Sequence, residues 1–185
     1  MTTIVSQSIV GVNLLEAYAA IDVTTTPEIP AHPFQYGAKV VATDGSEWVF
    51  GKVASTVTSI LQYHTVMLNS TNDGVVPILG GAAAVARSKR PGFYQGETTL
   101  TAGMAAWFMI SGSPTLFVGE DCEPYVTLYS TDVSGVLDDL TASTSQYAVR
   151  GVFALTSVLS SGSADAAVPG IATFPTIGLL TGDAG

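Results

Sequence analysis

Charge is scarce in this sequence. Of the 185 residues, 11% are charged, whereas ordinary globular domains carry about 25%. The 6 basic residues are outnumbered by 15 acidic ones, which gives a net charge of −9. Nucleic-acid binding needs a basic face that neutralises phosphates, so this balance argues against nucleic acid as a partner. We interpret the acidity as a solubility feature.

Cysteine is nearly absent. The single residue of this type, Cys122, excludes an internal disulfide and a cysteine-based zinc site. We interpret it as a small apolar residue that is buried or half-buried. One cysteine agrees with synthesis in a reducing cytoplasm. The N-terminus, MTTIVSQS, lacks the basic and long apolar regions of a signal peptide, so secretion by that route is not expected.

Long apolar runs are missing as well, although 47% of the residues are hydrophobic. No stretch of about 18 uncharged apolar residues occurs, so we predict no transmembrane helix and no membrane partner. An apolar excess with little charge and no membrane suggests that other subunits cover part of the monomer surface.

The sequence offers little catalytic chemistry. Its two histidines are His32, in a proline-rich stretch, and His64, in a predicted strand. There is no G-x-S-x-G nucleophile elbow and no glycine-rich phosphate motif. We therefore predict that the chain is not an enzyme and needs no cofactor or small-molecule substrate. A hydrolase built on His64 and an acidic partner is the rival hypothesis.

Acidic residues cluster at two places where a hard cation such as calcium could bind. Neither cluster has the spacing of an EF-hand loop, so we interpret both as solvated turns and predict no metal site. The clusters are Glu120, Asp121 and Glu123, and then Asp138 and Asp139.

The clearest structural signal is a β-hairpin in residues 34–56. Asp44 and Gly45 lie between two apolar runs, and Asp-Gly is typical of a two-residue type I′ turn in which both residues have positive φ. Pairing outward from that turn sets Val41 opposite Trp48 on one face.

The second half of the sequence also reads as β-structure. Strands are predicted at 63–68, 105–111, 115–118, 125–129 and 147–155. The sequence Gly112-Ser113-Pro114 is expected to close a second hairpin, and Gly151 marks a possible bulge. Many short strands between turn clusters predict an all-β antiparallel sandwich or barrel-like domain over residues 34–185.

Residues 1–33 are predicted to form an extended N-terminal arm. Three prolines between positions 27 and 33 favour irregular, extended backbone. Residues 12–21 carry apolar side chains at the spacing of one or two helical turns, and the alternative is an edge strand packed on the core. The apolar residues of the arm are expected at contacts between subunits: Ile4, Val5, Ile9, Val10, Leu14 and Leu15.

Arg87, Lys89 and Arg90 form the one basic cluster. Because Pro91-Gly92 follows, we predict that the cluster lies in a loop. Nucleic acid and an acidic protein surface are both conceivable contacts, but three charges are too few to be specific for either, and a merely exposed loop is the alternative interpretation. These residues join the arm as predicted interface residues.

The stretch GAKVVATDGSEWVFGKVASTVTS, residues 37–59, resembles small head proteins of tailed bacteriophages. In those proteins a short strand, a D-G turn and an aromatic strand lead into a segment rich in Ala, Ser and Thr. Residues 98–107, 125–129 and 135–136 are similar to the same proteins.

The resemblance implies a capsid decoration, or cement, protein. Such proteins are β-rich, commonly trimeric, and stabilise the viral shell by bridging capsomers. The implied partners are the major capsid protein of the same virus and further copies of this chain in a homotrimer. The implied location is the head surface of the virion, after assembly in the host cytoplasm. The alternative function is a tail- or fibre-associated module that binds a host glycan through aromatic faces.

Overall fold

The computed structural model describes residues 12–20, 33–80, 89–139, 146–158 and 165–179. Within these ranges the chain forms twelve β-strands. The predicted all-β fold class is therefore confirmed. Nowhere in these ranges is there a helix long and apolar enough to cross a membrane.

Seven of the strands form one sheet. Their bounds are β1 Ala17–Tyr18, β2 Lys39–Val41, β3 Glu47–Lys52, β4 Thr65–Leu68, β5 Val76–Pro77, β6 Arg90–Phe93 and β7 Ala105–Ser111. The strand order is β2-β3-β7-β6-β4-β5, and β1 pairs with β7. The pairs in this sheet are antiparallel, and β3 with β7 is the longest of them.

The other five strands close into a small barrel. They are β8 Thr115–Val118, β9 Leu128–Ser130, β10 Leu137–Asp138, β11 Tyr147–Ala154 and β12 Ala166–Leu179. The order around the barrel is β10-β8-β12-β11-β9, and the pair β10 with β8 is parallel. A closed barrel removes the exposed strand edges that would otherwise pair with other chains.

Two apolar clusters form the core, one on each face of the β3–β7 pair. Trp48 and Phe50 of β3 point into a cluster that also holds Leu116 of the barrel, so this cluster joins the sheet to the barrel. Val49 and Phe108 point into the second cluster, on the opposite face. The alternation of side chains along a strand places successive large residues in the two clusters.

The first hairpin is present, but its predicted turn type and register are wrong. The register pairs Val40 with Trp48 and Val41 with Glu47. Only Gly45 of the turn has positive φ, at 83°, and its N–H donates to the Ala42 carbonyl at 3.0 Å. The loop is thus a type I turn followed by a left-handed glycine. The register moves by one residue, so Val40 is buried and Val41 is 66% exposed.

The second predicted hairpin is wrong, although its two strands occur within the predicted bounds. Strand β7 belongs to the sheet and β8 to the barrel, so residues 112–114 connect two layers. Gly112 has φ of 131°, and a Cβ there would lie 2.7 Å from the Ser46 Cβ. The glycine therefore permits a close approach to Ser46 within the sheet, and its bridge to Ala172 links the sheet to the barrel, rather than closing a tight turn.

The later strands differ from prediction at β9, and β10 and β12 were not predicted. Strand β9 covers only Leu128–Ser130, because Tyr125 has a left-handed φ of 62° that ends regular strand geometry. Strand β11 occurs as predicted. Its register shifts around Gly151, which has φ of 78°, so the predicted bulge is confirmed.

The N-terminal segment is described only over residues 12–20. The predicted helical turns are wrong there, because Ala17 and Tyr18 form a strand that pairs with β7. Tyr18 makes edge-on contacts with Phe34 at 6.4 Å and Phe50 at 5.6 Å. The edge-strand alternative therefore describes these residues, since burial of Tyr18 on the core outweighs the helical spacing. The rest of the arm lies outside the described residues.

Candidate functional site

An open groove of about 840 Å³ is a prominent concave feature of the described residues. It lies between β2, the start of β6, the loop after β4 and the end of β12. We call it the basic groove, because half of the chain's six basic residues line it. The lining side chains used below are Tyr36, Lys39, Asn69, Asn72, Lys89 and Arg90.

The loop after β4, residues 69–74, has a fixed conformation. Asn69 Nδ2 donates to Asp73 Oδ1 at 2.7 Å, and the Thr71 hydroxyl donates to the same oxygen at 2.5 Å. The Lys52 N–H donates to the Asn72 carbonyl at 2.8 Å. Asn72 has φ of 57°, a conformation that asparagine tolerates. This loop thus forms one ordered wall of the basic groove.

The three cations of the basic groove have no ion pair with another described residue. Lys39 is exposed, whereas Lys89 and Arg90 are partly buried. Burial lowers the pKa of Lys89, and it lowers the pKa of Arg90 against a smaller opposing effect of Glu47. In both side chains, burial makes the charged form less favourable, and a bound anion would stabilise that charged form.

Two amide oxygens at the basic groove have no hydrogen-bond partner. They are Oδ1 of Asn69 and Oδ1 of Asn72, and both atoms are buried. The Asn72 side chain is only 8% exposed. Buried polar atoms are nearly always hydrogen-bonded in folded proteins, so unpaired acceptors beside a groove indicate room for a donor.

The outer surface of the barrel is the second feature of interest. Strand register places Ala167 beside Phe117, Pro169 beside Thr115, and Ile171 beside Phe153. The Leu155 N–H donates to the Pro169 carbonyl at 2.9 Å, which adds Leu155 to the same surface. We call this surface the barrel face, and it contains no charged residue: Thr115, Phe117, Phe153, Leu155, Ala167, Pro169 and Ile171.

The barrel face is accessible to solvent. Phe153 is 38% exposed and Ile171 is 40% exposed, while their neighbours Val152 and Ala172 are buried in the core. Just beyond, β12 has three residues where β11 has only Gly151. Phe174, at the centre of this bulge, is 66% exposed and has positive φ.

The fold brings only some residues of the two predicted acidic clusters close to one another. Ligand atoms of Cys122, Asp138 and Asp139 lie within 4.8 Å of one another. Asp139 Oδ2 accepts a hydrogen bond from the Glu123 N–H at 2.8 Å. Burial, and secondarily Asp139 and Asp138, raises the pKa of the Cys122 thiol to about 12. In the absence of a cation, the thiol therefore keeps its proton at neutral pH.

His64 lies just before β4 and is buried, at 5% exposed. Its ring lies against Gly135, where an added Cβ would overlap the imidazole. Nδ1 has no hydrogen-bond partner, and burial lowers the pKa of the ring against a smaller opposing effect of Asp165. His32, the other histidine, lies outside the described residues.

The predicted interface residues are found in different surroundings. Leu14 packs partly buried against the core of its own chain, whereas Leu15 is 50% exposed. Arg90 begins β6, so the predicted loop is wrong at that position, because Arg90 pairs with Leu68 across the sheet. Five predicted interface residues lie outside the described residues: Ile4, Val5, Ile9, Val10 and Arg87.

Sequence reasoning grouped Lys89 with Arg90 but missed that Lys39 joins them, and it missed the barrel face. Lys39 is fifty residues from Lys89 in the chain, and β3 and β7 lie between β2 and β6 in the sheet, so no local pattern shows that both residues line one groove. The barrel face depends on pairing between β8 and β12, which no local pattern specifies. The apolar character of residues 166–171 was the one available signal.

Comparison of the chain with models of protein families and with curated proteins found no match.

Proposed function

We propose that the chain is a structural protein of the virion that decorates the head of a tailed bacteriophage and bridges capsomers as a homotrimer. The resemblance of residues 37–59 to small head proteins is the starting point. The observation that supports a permanent assembly component is the barrel face, an exposed apolar sheet surface without charge. Exposed apolar surfaces of this kind commonly mark protein interaction sites.

We propose that further copies of this chain bury the barrel face in a contact between subunits. An uncharged apolar surface is complementary to another apolar surface, and closed cyclic symmetry covers it without leaving an open end. Full burial of a Phe or Ile side chain contributes about 1.5–3 kcal/mol. Phe153 and Ile171 are therefore expected to be central to the contact between subunits.

The function is tested by titrating the purified chain onto undecorated phage shells and measuring co-sedimentation. We expect saturation at a fixed ratio of chain to capsid protein, together with greater resistance of the shells to heat. Shells that never retain the chain would refute the proposal.

The arm is tested in the same titration. A deletion of residues 1–11 is preferable to a deletion of residues 1–33, because Tyr18 contributes to the core. Weaker retention of the deleted chain supports a contact of the arm with the shell. Equal retention removes that role and leaves the decoration function intact.

A tail- or fibre-associated module that binds a glycan is the second candidate function. The aromatic side chains give it mixed support, since Trp48, Tyr94 and Trp107 are buried in the core whereas Tyr125 is 68% exposed. The basic groove is the observation that favours a ligand. A glycan-array signal together with no retention of the chain on undecorated shells would favour this candidate, whereas retention on shells favours decoration whether or not a glycan binds.

We also propose that His64 has no catalytic role. Its ring is enclosed between Gly135 and Phe117, whose ring centre lies 6.0 Å away, so a substrate has no approach to it. A catalytic base must come within hydrogen-bond reach of the proton that it removes. Loss of a measurable hydrolase activity in His64→Ala would contradict this proposal.

A further inference from the structure

We propose that the basic groove binds an acidic saccharide, which is a sugar unit with a carboxylate group. The site does not depend on the decoration function, because a head protein and a tail-associated module could both carry it. Three features of the groove support this proposal, namely its three cations, its two unpaired amide oxygens and its shape.

The cations indicate an anionic ligand, of which a carboxylate is the simplest. Lys39, Lys89 and Arg90 converge on one groove and have no ion pair within the described ranges. Arginine can hold a carboxylate through two parallel N–H donors. Three cations match a ligand with one or two negative charges, whereas the net charge of −9 repels a long polyanion such as nucleic acid.

The amide oxygens specify hydroxyl groups on the same ligand. Oδ1 of Asn69 and Oδ1 of Asn72 are buried acceptors without a donor. An isolated carboxylate brings no donor to them, and a sugar ring carries several hydroxyl donors next to its carboxylate. Pairing a buried acceptor recovers a desolvation cost of about 1–3 kcal/mol.

The shape of the groove suits a short saccharide. Its volume of about 840 Å³ lies in the range of small-molecule sites. Tyr36 lines it as an apolar wall and is held by its stacked ring contact with Phe50 at 6.1 Å. The hydrogen bonds to Asp73 fix the loop that carries both asparagines, so little conformational entropy is lost on binding.

Calorimetric titration of the full chain tests the proposal with matched probes. The first probe is a disaccharide containing glucuronic acid, and the second is the same disaccharide with its carboxyl reduced to an alcohol. The third is a peptide with the sequence of residues 118–124, VGEDCEP, which has acidic groups but no sugar hydroxyls. We expect measurable binding of the first probe and binding weaker by about tenfold or more for the other two.

Variants locate the binding. Arg90→Gln, Lys39→Gln and Asn72→Gly are each expected to weaken binding of the acidic disaccharide by about fivefold or more. Lys39 is exposed, and glycine tolerates the left-handed backbone of Asn72, so these two variants should fold even if Arg90→Gln does not. Arg150→Gln removes the same charge from an exposed residue that does not line the groove and should bind normally.

Three results would overturn the proposal. The first is no binding of the acidic disaccharide at millimolar concentration. The second is equal binding of the neutral disaccharide or stronger binding of the peptide, which would indicate a neutral glycan or a protein partner. The third is equal weakening by Arg150→Gln and Lys39→Gln, which would indicate only a general effect of charge.

Discussion

At the scale of single residues, packing decides which polar side chains are buried. No pattern in the sequence distinguishes His64, yet its ring is buried against Gly135 and its Nδ1 has no hydrogen-bond partner. Burial favours the neutral ring and lowers its pKa, while Asp165 acts weakly in the opposite direction. Protonation of His64 therefore opposes folding.

The free energy of unfolding should decrease as the pH decreases, because of His64. The unfolded chain binds the proton at the ordinary histidine pKa of about 6.5, and the folded chain binds it only at lower pH. The contribution is complete above that value and is lost as the pH falls below it toward the folded pKa. We expect the melting temperature to decrease between pH 7 and pH 5, by roughly 2–4 °C for each kcal/mol lost.

The matched variants for this prediction are His64→Gln and His32→Gln. His64→Gln should flatten the pH dependence in that window, and His32→Gln should retain it. If both variants keep the wild-type dependence, His64 is not its source. The carboxyl groups of Asp44 and Asp73 do not interfere. Hydrogen bonds from their neighbours lower their pKa values, so their contribution is lost only at more acidic pH.

A second residue-scale prediction concerns metal ions. Cys122 lies near Asp138 and Asp139, but its thiol keeps its proton because burial raises its pKa to about 12. We expect dialysis against a chelator to leave the melting temperature unchanged, with calcium or zinc added back as the control. A fall of many degrees that the added metal reverses would show that this cluster binds an ion.

At the scale of elements, local patterns predicted several strands but not their partners, and they missed β12, the longest strand. Strands β7 and β8 occur within their predicted bounds because alternating apolar residues between turn residues are a local signal. The same Gly-Ser-Pro sequence can close a hairpin or connect two layers. The choice depends on residues far away in the chain, such as Ser46 against Gly112 and Ala172 paired with it.

In the hairpin between β2 and β3, one extra residue in the loop shifts the register of the whole strand pair. The Asp-Gly signal located the turn correctly, but the loop has one more residue than predicted. Asp44 accepts from the N–H and hydroxyl of Ser46, and Ser46 Oγ accepts from Trp48 Nε1 at 2.8 Å. This chain of hydrogen bonds supports the larger loop, and no periodicity in the sequence encodes it.

Gly45 should be the most sensitive position of that loop. Its φ of 83° resists a β-branched side chain, although a Cβ there meets no atom within 4 Å. We expect Gly45→Val to destabilise the fold by about 1 kcal/mol or more through backbone strain. Gly45→Asn should cost less, because asparagine tolerates this conformation. Equal melting temperatures for the wild type and both variants would contradict the turn geometry.

At the scale of the whole molecule, composition predicted a covered surface without locating it. Little charge and many apolar residues indicated contacts between subunits, and the arm was the predicted place. The structure adds the barrel face, where Phe153 and Ile171 pair on the outside of a closed barrel. Such a face arises only after β11 and β12 have paired, so sequence alone could not reveal it.

Light scattering is the most direct measurement of this claim. We predict that the full-length chain has the mass of three chains at micromolar concentration. Phe153→Asp should give monomers, because it places a charge in the contact. Val41→Asp, at an equally apolar but separate exposed position on β2, should remain trimeric. A wild-type chain that is monomeric at every concentration, or a Phe153→Asp chain that is still trimeric, would contradict the account.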